Sequence, residues 1–360
     1  MRSIYQLILI LILILILIPT FTFQLENNFA DMAAVHELSP EGDVKLVYGN
    51  EEEGNTVHII ACSAVLRHGS PVFQAMLGDR FKEGAVLATG TRLDLPLPDD
   101  DAASMLTICQ IMHMRPVTPG ILTSGAFLDL AVLINKYDCK LALGIHITAW
   151  MNGTKQLHES DLDKFNMFVS AYTLQLPEEL DRTGRGLVLA TKTISMTEDS
   201  PNVDPILKDV IVKLEVNRRD LRDRAAALLD RVIRNECKGS GSLTRNIKGC
   251  GGRCDYVRSR VNHFMKKLIT TELWPLTSIK ERPLLAICEA MVQFVRDWSD
   301  ISEDCGDNCR RFSMAKDEEL KSLMVDLVTS IQDDAIKPCL ACVKEGHLQA
   351  KGGCEKGHGV

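Results

Sequence analysis

Cysteine and histidine residues concentrate in the C-terminal part of this 360-residue chain, at spacings suited to metal binding. Nine of the twelve cysteines lie at or beyond position 237. A thiolate pair separated by two residues, with further cysteine and histidine nearby, can place four soft ligands around a tetrahedral Zn²⁺ ion. The residues that could belong to such a site are Cys237, Cys250, Cys254, Cys339, Cys342, His347, Cys354 and His358.

Three states of these thiols stay open from the sequence: a structural zinc site, reduced cysteines without a role, and disulfides. Disulfide frameworks are typical of short secreted chains that cannot build a core, whereas this chain is long enough to build one. Cys305 and Cys309 lie among acidic and amide residues without an evident partner pair. We therefore expect reduced thiols, and we assign no metal ligand, no catalytic residue and no cofactor from the sequence alone.

Other chemical motifs are missing from the sequence. It contains no Gly-x-Ser-x-Gly elbow, no His-Glu-x-x-His pair and no dinucleotide-binding fingerprint. The glycine-rich segment 235–253, predicted as a loop, lacks the Gly-Lys-Ser/Thr ending of a phosphate-binding loop. We expect a protein that is not an enzyme.

The composition excludes several classes of partner. Hydrophobic residues make up 46 % and charged residues 25 % of the chain, which is typical of a globular protein. The net charge of −7 offers no broad surface for phosphate groups, and 5 % aromatic residues are few for base stacking. We therefore expect no nucleic acid partner.

An apolar Leu/Ile run covers residues 7–18 and is followed by Pro19. The run has the length of a signal-peptide core and is short of the about 20 residues that span a membrane, while a small-residue cleavage site is missing. We treat 1–31 as a low-complexity segment, either signal-like or a mistaken start, and favour initiation at Met32. This predicts a cytoplasmic or nuclear protein. The alternative is a secreted or membrane-anchored cysteine-rich protein, with Asn152 glycosylated.

Short strands alternate with helices over residues 40–150 and predict an α+β unit. Strands are expected at 44–48, 56–61 and 91–95, the first two forming a hairpin. Helix starts are indicated by Ser63, by Ser70 before a proline, and by the acidic run that ends at Asp101. Two more amphipathic helices are expected at 122–137 and 141–151.

Five stretches of this unit resemble, in order, a fungal BTB/POZ domain. They are GDVKLV at 42–47, CSAVLRHGSPVFQAML at 62–77, FKEG at 81–84, LPLPDDD at 95–101 and LINKYDC at 133–139. The resemblance implies a short sheet beside helical hairpins, used for protein–protein interaction and homodimerisation. It implies binding through apolar helix faces near Ser63–Leu77 and the first predicted strand.

The chain also departs from the family pattern. Cys62 stands where many animal relatives have histidine, and HMRPVTP at 113–119 replaces the usual Tyr-Thr-Gly stretch. Some relatives bind cullin scaffolds of ubiquitin ligases through a hydrophobic-x-Glu signature, which Phe81-Lys82-Glu83 resembles. A short pattern of this kind also arises on ordinary solvated turns, so a cullin is the alternative partner.

Residues 151–360 are predicted to be mainly α-helical, as in the extension common to that fungal group. The longest element starts near Pro205 and has leucine every seven residues at 207, 214, 221 and 228. The pattern fits a coiled-coil dimer, but Arg218 and Ala225 at the intervening seam positions favour a single amphipathic helix. The sequence thus predicts a non-enzymatic interaction adaptor; the alternatives are a cullin substrate receptor and the secreted protein described above.

Overall fold

The described part of the chain has a mixed α+β fold that is mostly helical, in agreement with the predicted fold class. The computed structural model describes residues 34–49, 56–117, 122–153, 160–194, 205–242, 256–299 and 307–346, together with positions 354, 356 and 358. The predictions for residues 1–31 and for the acidic loop near residue 50 lie outside these residues.

Four strands form one mixed sheet in the order β1-β3-β2-β4. They are β1 Ala34–Glu37, β2 Val44–Tyr48, β3 Val57–Ala61 and β4 Leu93–Pro96. The β2–β3 hairpin is antiparallel as predicted, while β1 and β4 pair in parallel at the two edges. The predicted binding strand, β2, therefore has neighbours on both sides, and among the described strands an edge is offered by β1 instead.

The β1 strand was not predicted because four residues are too few for a readable alternation of apolar and polar side chains. It precedes the expected start of the α+β unit at residue 40, yet it pairs with β3 along its whole length. One of the two edge strands, β1, thus comes from a segment to which the sequence assigned no element.

Helices pack against the sheet in the α+β unit, and every described element after β4 is a helix. Their bounds are α1 Ser63–Gly69, α2 Pro71–Met76, α3 Lys82–Ala88, α4 Ala102–Met112, α5 Ser124–Lys136, α6 Lys140–Gly153, α7 Asp161–Thr173, α8 Pro177–Ala190, α9 Pro205–Ser242, α10 Tyr256–Thr270, α11 Leu276–Ile279, α12 Leu284–Arg296, α13 Asp307–Asp334 and α14 Leu340–Lys344. The helices expected at 122–137 and 141–151 are both present.

Of the three expected helix starts, those at Ser70 and Asp101 are confirmed, and both residues are N-caps. The Ser70 hydroxyl accepts a hydrogen bond from the Phe73 amide, and the Asp101 carboxylate accepts one from the Ser104 amide. The cap predicted at Ser63 was wrong, because Ser63 is the first residue inside α1. Its amide and hydroxyl both donate to the Asp43 carboxylate, at 2.7 and 2.6 Å. The Ser63 side chain binds Asp43, the residue before β2, rather than capping its own helix.

The α+β unit and the helical region share one hydrophobic core. Helix α5 of the first packs against α7 of the second. At this contact the Ser124 hydroxyl donates to the Asp163 carboxylate and accepts from the Asn166 amide. The two regions are consequently joined by a packed interface.

Helix α9 buries three of its four heptad leucines within its own chain, and the fourth, Leu228, is half-buried. Leu207, Leu214, Leu221 and Ala225 are all buried against neighbouring helices. This agrees with the favoured single amphipathic helix. The segment predicted as a loop from residue 235 is helical up to Ser242, because the Glu236 carboxylate is held by Arg260 of α10, at 2.9 Å.

Two arginines on the inner face of α9 are buried and hydrogen-bonded to other segments. The Arg218 guanidinium binds the Glu215 carboxylate and the Lys192 carbonyl oxygen. Arg222 donates to the carbonyl oxygens of Lys280 and Arg282, at 2.6 and 2.7 Å. These bonds tie α9 to the segments that follow α8 and α11.

Arg218 and Arg219 form a matched pair for testing this contact. Both bind Glu215, but 3 % of the Arg218 side chain is exposed against 70 % of Arg219. We expect Arg218→Ala to lower the free energy of unfolding by about 1.5–3 kcal/mol, because buried charge-assisted hydrogen bonds to the Glu215 carboxylate and the Lys192 carbonyl oxygen are lost. Arg219→Ala should cost about 0–1 kcal/mol, since water screens an exposed pair. Urea unfolding followed by circular dichroism measures both, and equal losses would contradict the assignment.

His113 links helix α4 to the start of α1. Its Nε2 accepts a hydrogen bond from the Cys62 amide at 2.9 Å, and its Nδ1 lies 2.8 Å from the Cys109 carbonyl oxygen. This arrangement requires a neutral ring, protonated on Nδ1. Burial is the main cause that lowers the pKa of His113 below its ordinary value.

The lowered pKa of His113 predicts acid sensitivity. The unfolded chain takes up the proton near pH 6.5, whereas the folded chain resists it, so the contribution of His113 to stability is full above about pH 6.5 and is lost as the pH falls towards the folded pKa. We expect the free energy of unfolding to fall less steeply between pH 7 and pH 5 in His113→Gln than in the wild type. The exposed His68→Gln is the control, and an unchanged slope in His113→Gln would refute the prediction.

Candidate functional site

Four side chains with metal-binding atoms meet beside α14: Cys339, Cys342, Cys354 and His358. Each offers one ligand atom, and all four atoms lie within 4.8 Å of one another. The Nδ1 atom of His358 lies 3.4 Å from the Cys342 sulfur, 3.6 Å from that of Cys354 and 3.9 Å from that of Cys339. The sulfurs of Cys342 and Cys354 are 3.4 Å apart. We call these four residues the Cys₃His cluster.

The structure brings together half of the residues that the sequence singled out. Cys237 is exposed on α9 and is not part of the cluster. The positions of Cys250, Cys254, Cys305 and His347 lie outside the described residues, as does the side chain of Cys309. The sequence assigned no metal ligand, and the spacing of Cys339 and Cys342 was the signal that pointed to this part of the chain.

Other described cysteines belong to the α+β unit and to α12. Cys109, Cys139 and Cys288 are buried, and burial raises the pKa of their thiols to about 12, 12 and 11. Cys62 is half-buried. Thiols with raised pKa values resist forming the reactive thiolate, as expected for reduced core residues.

The segment before α14 is fixed by helices α8 and α9. The Pro338 ring packs on α8 at Gly184, where a Cβ atom would come within 2.3 Å of the proline Cγ. On α9, the buried Asn217 accepts a hydrogen bond from the Ile336 amide and donates to the Asp334 carbonyl oxygen. Cys339 caps α14 directly after this anchored stretch. The first cysteine pair is therefore held by the helical region.

The far end of α14 is also tied down. The Lys344 ammonium donates to the side-chain oxygen of Gln175 at 2.7 Å, and the Lys140 ammonium donates to the Gln175 carbonyl oxygen at 3.1 Å. Gln175 lies between α7 and α8 with a φ of 54°. This turn contacts α14 on one side and the first residue of α6 on the other.

The thiols of the cluster influence one another. Burial raises the pKa of Cys342 to about 12, and hydrogen bonds to Cys354 and Cys339 act in the same direction. For Cys354, burial raises the pKa, but the hydrogen bond from Cys342 and those from the backbone near His358 outweigh it and lower the pKa to about 7. Of these two sulfurs, Cys354 ionises at the lower pH, because its neighbours stabilise the thiolate.

The cluster can bind one soft metal ion with four protein ligands. Such a closed set leaves no position for water or substrate, so it suits a structural role rather than a catalytic one.

A second feature of the described chain is the outer face of α6. Its inner face buries Leu143, Ile147 and Met151, as an amphipathic helix would. Its outer face carries Leu141, 99 % exposed, and Ile145, 86 % exposed, one helical turn apart. A helix that is apolar on both faces normally has a partner on each.

A smaller apolar surface lies on α2 and the residue before α3. It is formed by Pro71, Val72, Ala75, Met76 and Phe81. Phe81, which begins the Phe81-Lys82-Glu83 pattern, is half exposed. The apolar helix face predicted within 63–77 is therefore present at its C-terminal end.

No protein-family model, curated protein or solved structure matches this chain. None of the described helices is both long and apolar enough to cross a membrane. The function has to be argued from the cluster, the exposed faces and the sequence pattern.

Two glycines of α8 test how the platform under the cluster is packed. At Gly184 a Cβ would collide with Pro338, whereas at Gly186 it would meet nothing within 4 Å. We expect Gly184→Ala to destabilise the protein by about 1–3 kcal/mol through overpacking. Gly186→Ala should be neutral or stabilising by up to about 1 kcal/mol, because alanine favours a helix. Urea unfolding distinguishes them, and a stabilised Gly184→Ala would refute the proline contact.

Proposed function

We propose that this protein is a non-enzymatic adaptor that binds other proteins through an N-terminal BTB/POZ-like α+β domain and forms a homodimer. The observation that carries the proposal is the outer face of α6, where Leu141 and Ile145 are almost fully exposed. Large exposed apolar side chains at neighbouring positions mark interaction surfaces, because covering them removes apolar area from water. Complete burial of one such side chain contributes about 1.5–3 kcal/mol.

A second copy of the chain is the partner we infer for this face. A two-fold axis places the same surface on both partners, so a self-complementary apolar face can pack on itself. Small side chains lie among the large ones on this face, at Ala142, Gly144 and Ala149, and all are exposed. They let two helices approach closely while Leu141 and Ile145 fill the spaces between them.

The sheet offers a further surface that such an adaptor would use. Strand β1 lies at the sheet edge, and Val35 on it is exposed. Stable interfaces bury about 800 Å² on each partner, which is more than one helix face supplies. Edge pairing or side-chain contacts at β1 would add the area that α6 lacks.

The apolar surface around Phe81 supports the alternative function, a substrate receptor of a cullin ubiquitin ligase. Val72 and Met76 lie beside Phe81 on this surface. An aromatic side chain among aliphatic ones is the usual anchor of a protein interface. The proposed dimer uses a different helix, so the two functions are separable by mutation.

Oligomeric state tests the homodimer. We expect light scattering coupled to size exclusion to give twice the chain mass of 40.0 kDa. Leu141→Asp combined with Ile145→Asp should give the monomer mass, because two charges would be buried unpaired at the interface. Leu162→Asp is the matched control, since Leu162 is a comparably apolar residue that is 56 % exposed on α7.

Either of two results would contradict the homodimer at α6. One is a wild-type protein that is monomeric at all concentrations. The other is a double variant that stays dimeric with an unchanged circular dichroism spectrum. Mixing the same samples with a purified cullin scaffold separates the alternative, in which Phe81→Ala abolishes co-elution and the α6 variant does not.

A further inference from the structure

We propose that Cys339, Cys342, Cys354 and His358 bind one Zn²⁺ ion in a tetrahedral site and that this ion fastens the C-terminal tail to the helical region. The proposal concerns a part of the chain that the adaptor function does not involve. It rests on the positions of the four ligand atoms and on the way that α14 is anchored.

The observed separations match those of a zinc site. Tetrahedral bonds of about 2.3 Å to sulfur and about 2.0 Å to nitrogen place two sulfurs about 3.8 Å apart and a sulfur about 3.5 Å from a nitrogen. The three sulfurs lie 3.4, 3.6 and 3.9 Å from His358 Nδ1, and one sulfur pair is 3.4 Å apart. These four separations differ from the tetrahedral values by no more than about 0.4 Å, and all ligand atoms lie within 4.8 Å of one another.

The two competing states explain the cluster less well. A disulfide between Cys342 and Cys354 would use two of the four groups and leave Cys339 and His358 gathered around it without a reason. Reduced thiols without a role need not converge, because cysteine behaves as a small apolar residue and packs wherever the core accepts it. Four ligating groups from two separate segments meet at one point here.

The ligand set and its size select zinc. Thiolate and imidazole ligands in a tetrahedral arrangement suit Zn²⁺ or an iron–sulfur centre, and harder ions prefer oxygen. Ligand atoms within 4.8 Å of one another enclose a single ion and leave no room for a second metal with bridging sulfides. A single ion with three cysteines and one histidine is a common structural zinc site.

Charge at the site is also accommodated. Three thiolates and Zn²⁺ sum to one negative charge, and zinc binding releases the thiol protons to solvent. Two lysines lie close to the ligands in the sequence. Lys344 comes two residues after Cys342, and Lys356 lies between Cys354 and His358. The Lys356 ammonium also donates a hydrogen bond to the Glu345 carboxylate at 2.8 Å.

The ion would do structural work that the surrounding chain cannot do alone. Helix α14 has five residues, far fewer than the about 12–15 that an isolated helix needs in water. Contacts to Gly184 and Asn217 hold its start, but Cys354 and His358 reach it from a separate segment. Zinc bonds from both segments supply the link that hydrophobic packing does not.

Metal analysis of the full-length protein tests the site. Protein purified under reducing conditions, without chelators and without a metal-affinity tag, should contain one zinc ion per chain when its metal content is measured by elemental mass spectrometry. Cys342→Ser, Cys354→Ser and His358→Ala should each lower the zinc content by roughly tenfold or more, because a direct ligand is lost. Cys62→Ser is the control: its thiol is half-buried in the α+β unit, and the zinc content should not change.

Wild-type protein provides a second readout if the variants fail to fold. Removing zinc with a chelator and adding Co²⁺ should produce the visible absorption of tetrahedral cobalt bound to thiolates. Hydrogen exchange should increase in residues 336–344 on chelation and return to its initial value when zinc is added back, while α4 and α5 stay protected.

Three results would overturn the proposal. The first is metal-free protein that takes up no Co²⁺ and whose thiols are all alkylated rapidly. The second is zinc content that survives loss of Cys342, Cys354 or His358. The third is a disulfide-linked pair of tail peptides in protein whose thiols were alkylated at lysis. None of these results affects the α6 homodimer, which is tested by its mass.

Discussion

The helical region depends on the rule that a buried guanidinium group must find oxygen partners on other elements. Arg218 and Arg222 project from the inner face of α9, where removing either charge from water is costly unless it is paired. Their partners are a carboxylate on the same helix and carbonyl oxygens of three other residues, Lys192, Lys280 and Arg282. Because these bonds have direction, they fix where the chain passes α9, which apolar packing alone would leave loosely defined.

The same helix determines where the Cys₃His cluster forms. Asn217 lies next to Arg218 on α9 and binds the backbone on both sides of Ala335. Two residues after the Ile336 contact, Pro338 meets Gly184, and the first ligand follows at once. The cluster is thus built outward from the core of the helical region, while α6 presents its apolar side chains on the α+β unit. The proposed dimer surface and the proposed metal site are thus formed by different elements that share one continuous core.

Local chemistry made part of this structure predictable. The β2–β3 hairpin and the caps at Ser70 and Asp101 follow from residues within a few positions of one another. The continuation of α9 to Ser242 does not follow from nearby residues, since it depends on a contact between Glu236 and Arg260 of another helix. Among the eight candidate ligands, the sequence identified the region but not the set, because the way in which Cys354 and His358 return to α14 cannot be read from spacing alone. The exposed outer face of α6 was also missed, since a helix apolar all round looks like core in a sequence.

Gln175 limits how strongly helix α6 and the Cys₃His cluster can influence each other. Its carbonyl oxygen accepts a hydrogen bond from Lys140 at the start of α6, and its side chain accepts one from Lys344 at the end of α14. Both bonds are exposed, and each is worth about 1 kcal/mol or less in water. By thermodynamic reciprocity, loss of metal from the cluster would therefore change self-association through α6 by a few-fold at most through this residue. The coupling through this turn is weak, so self-association through α6 and metal binding at the cluster would be nearly independent.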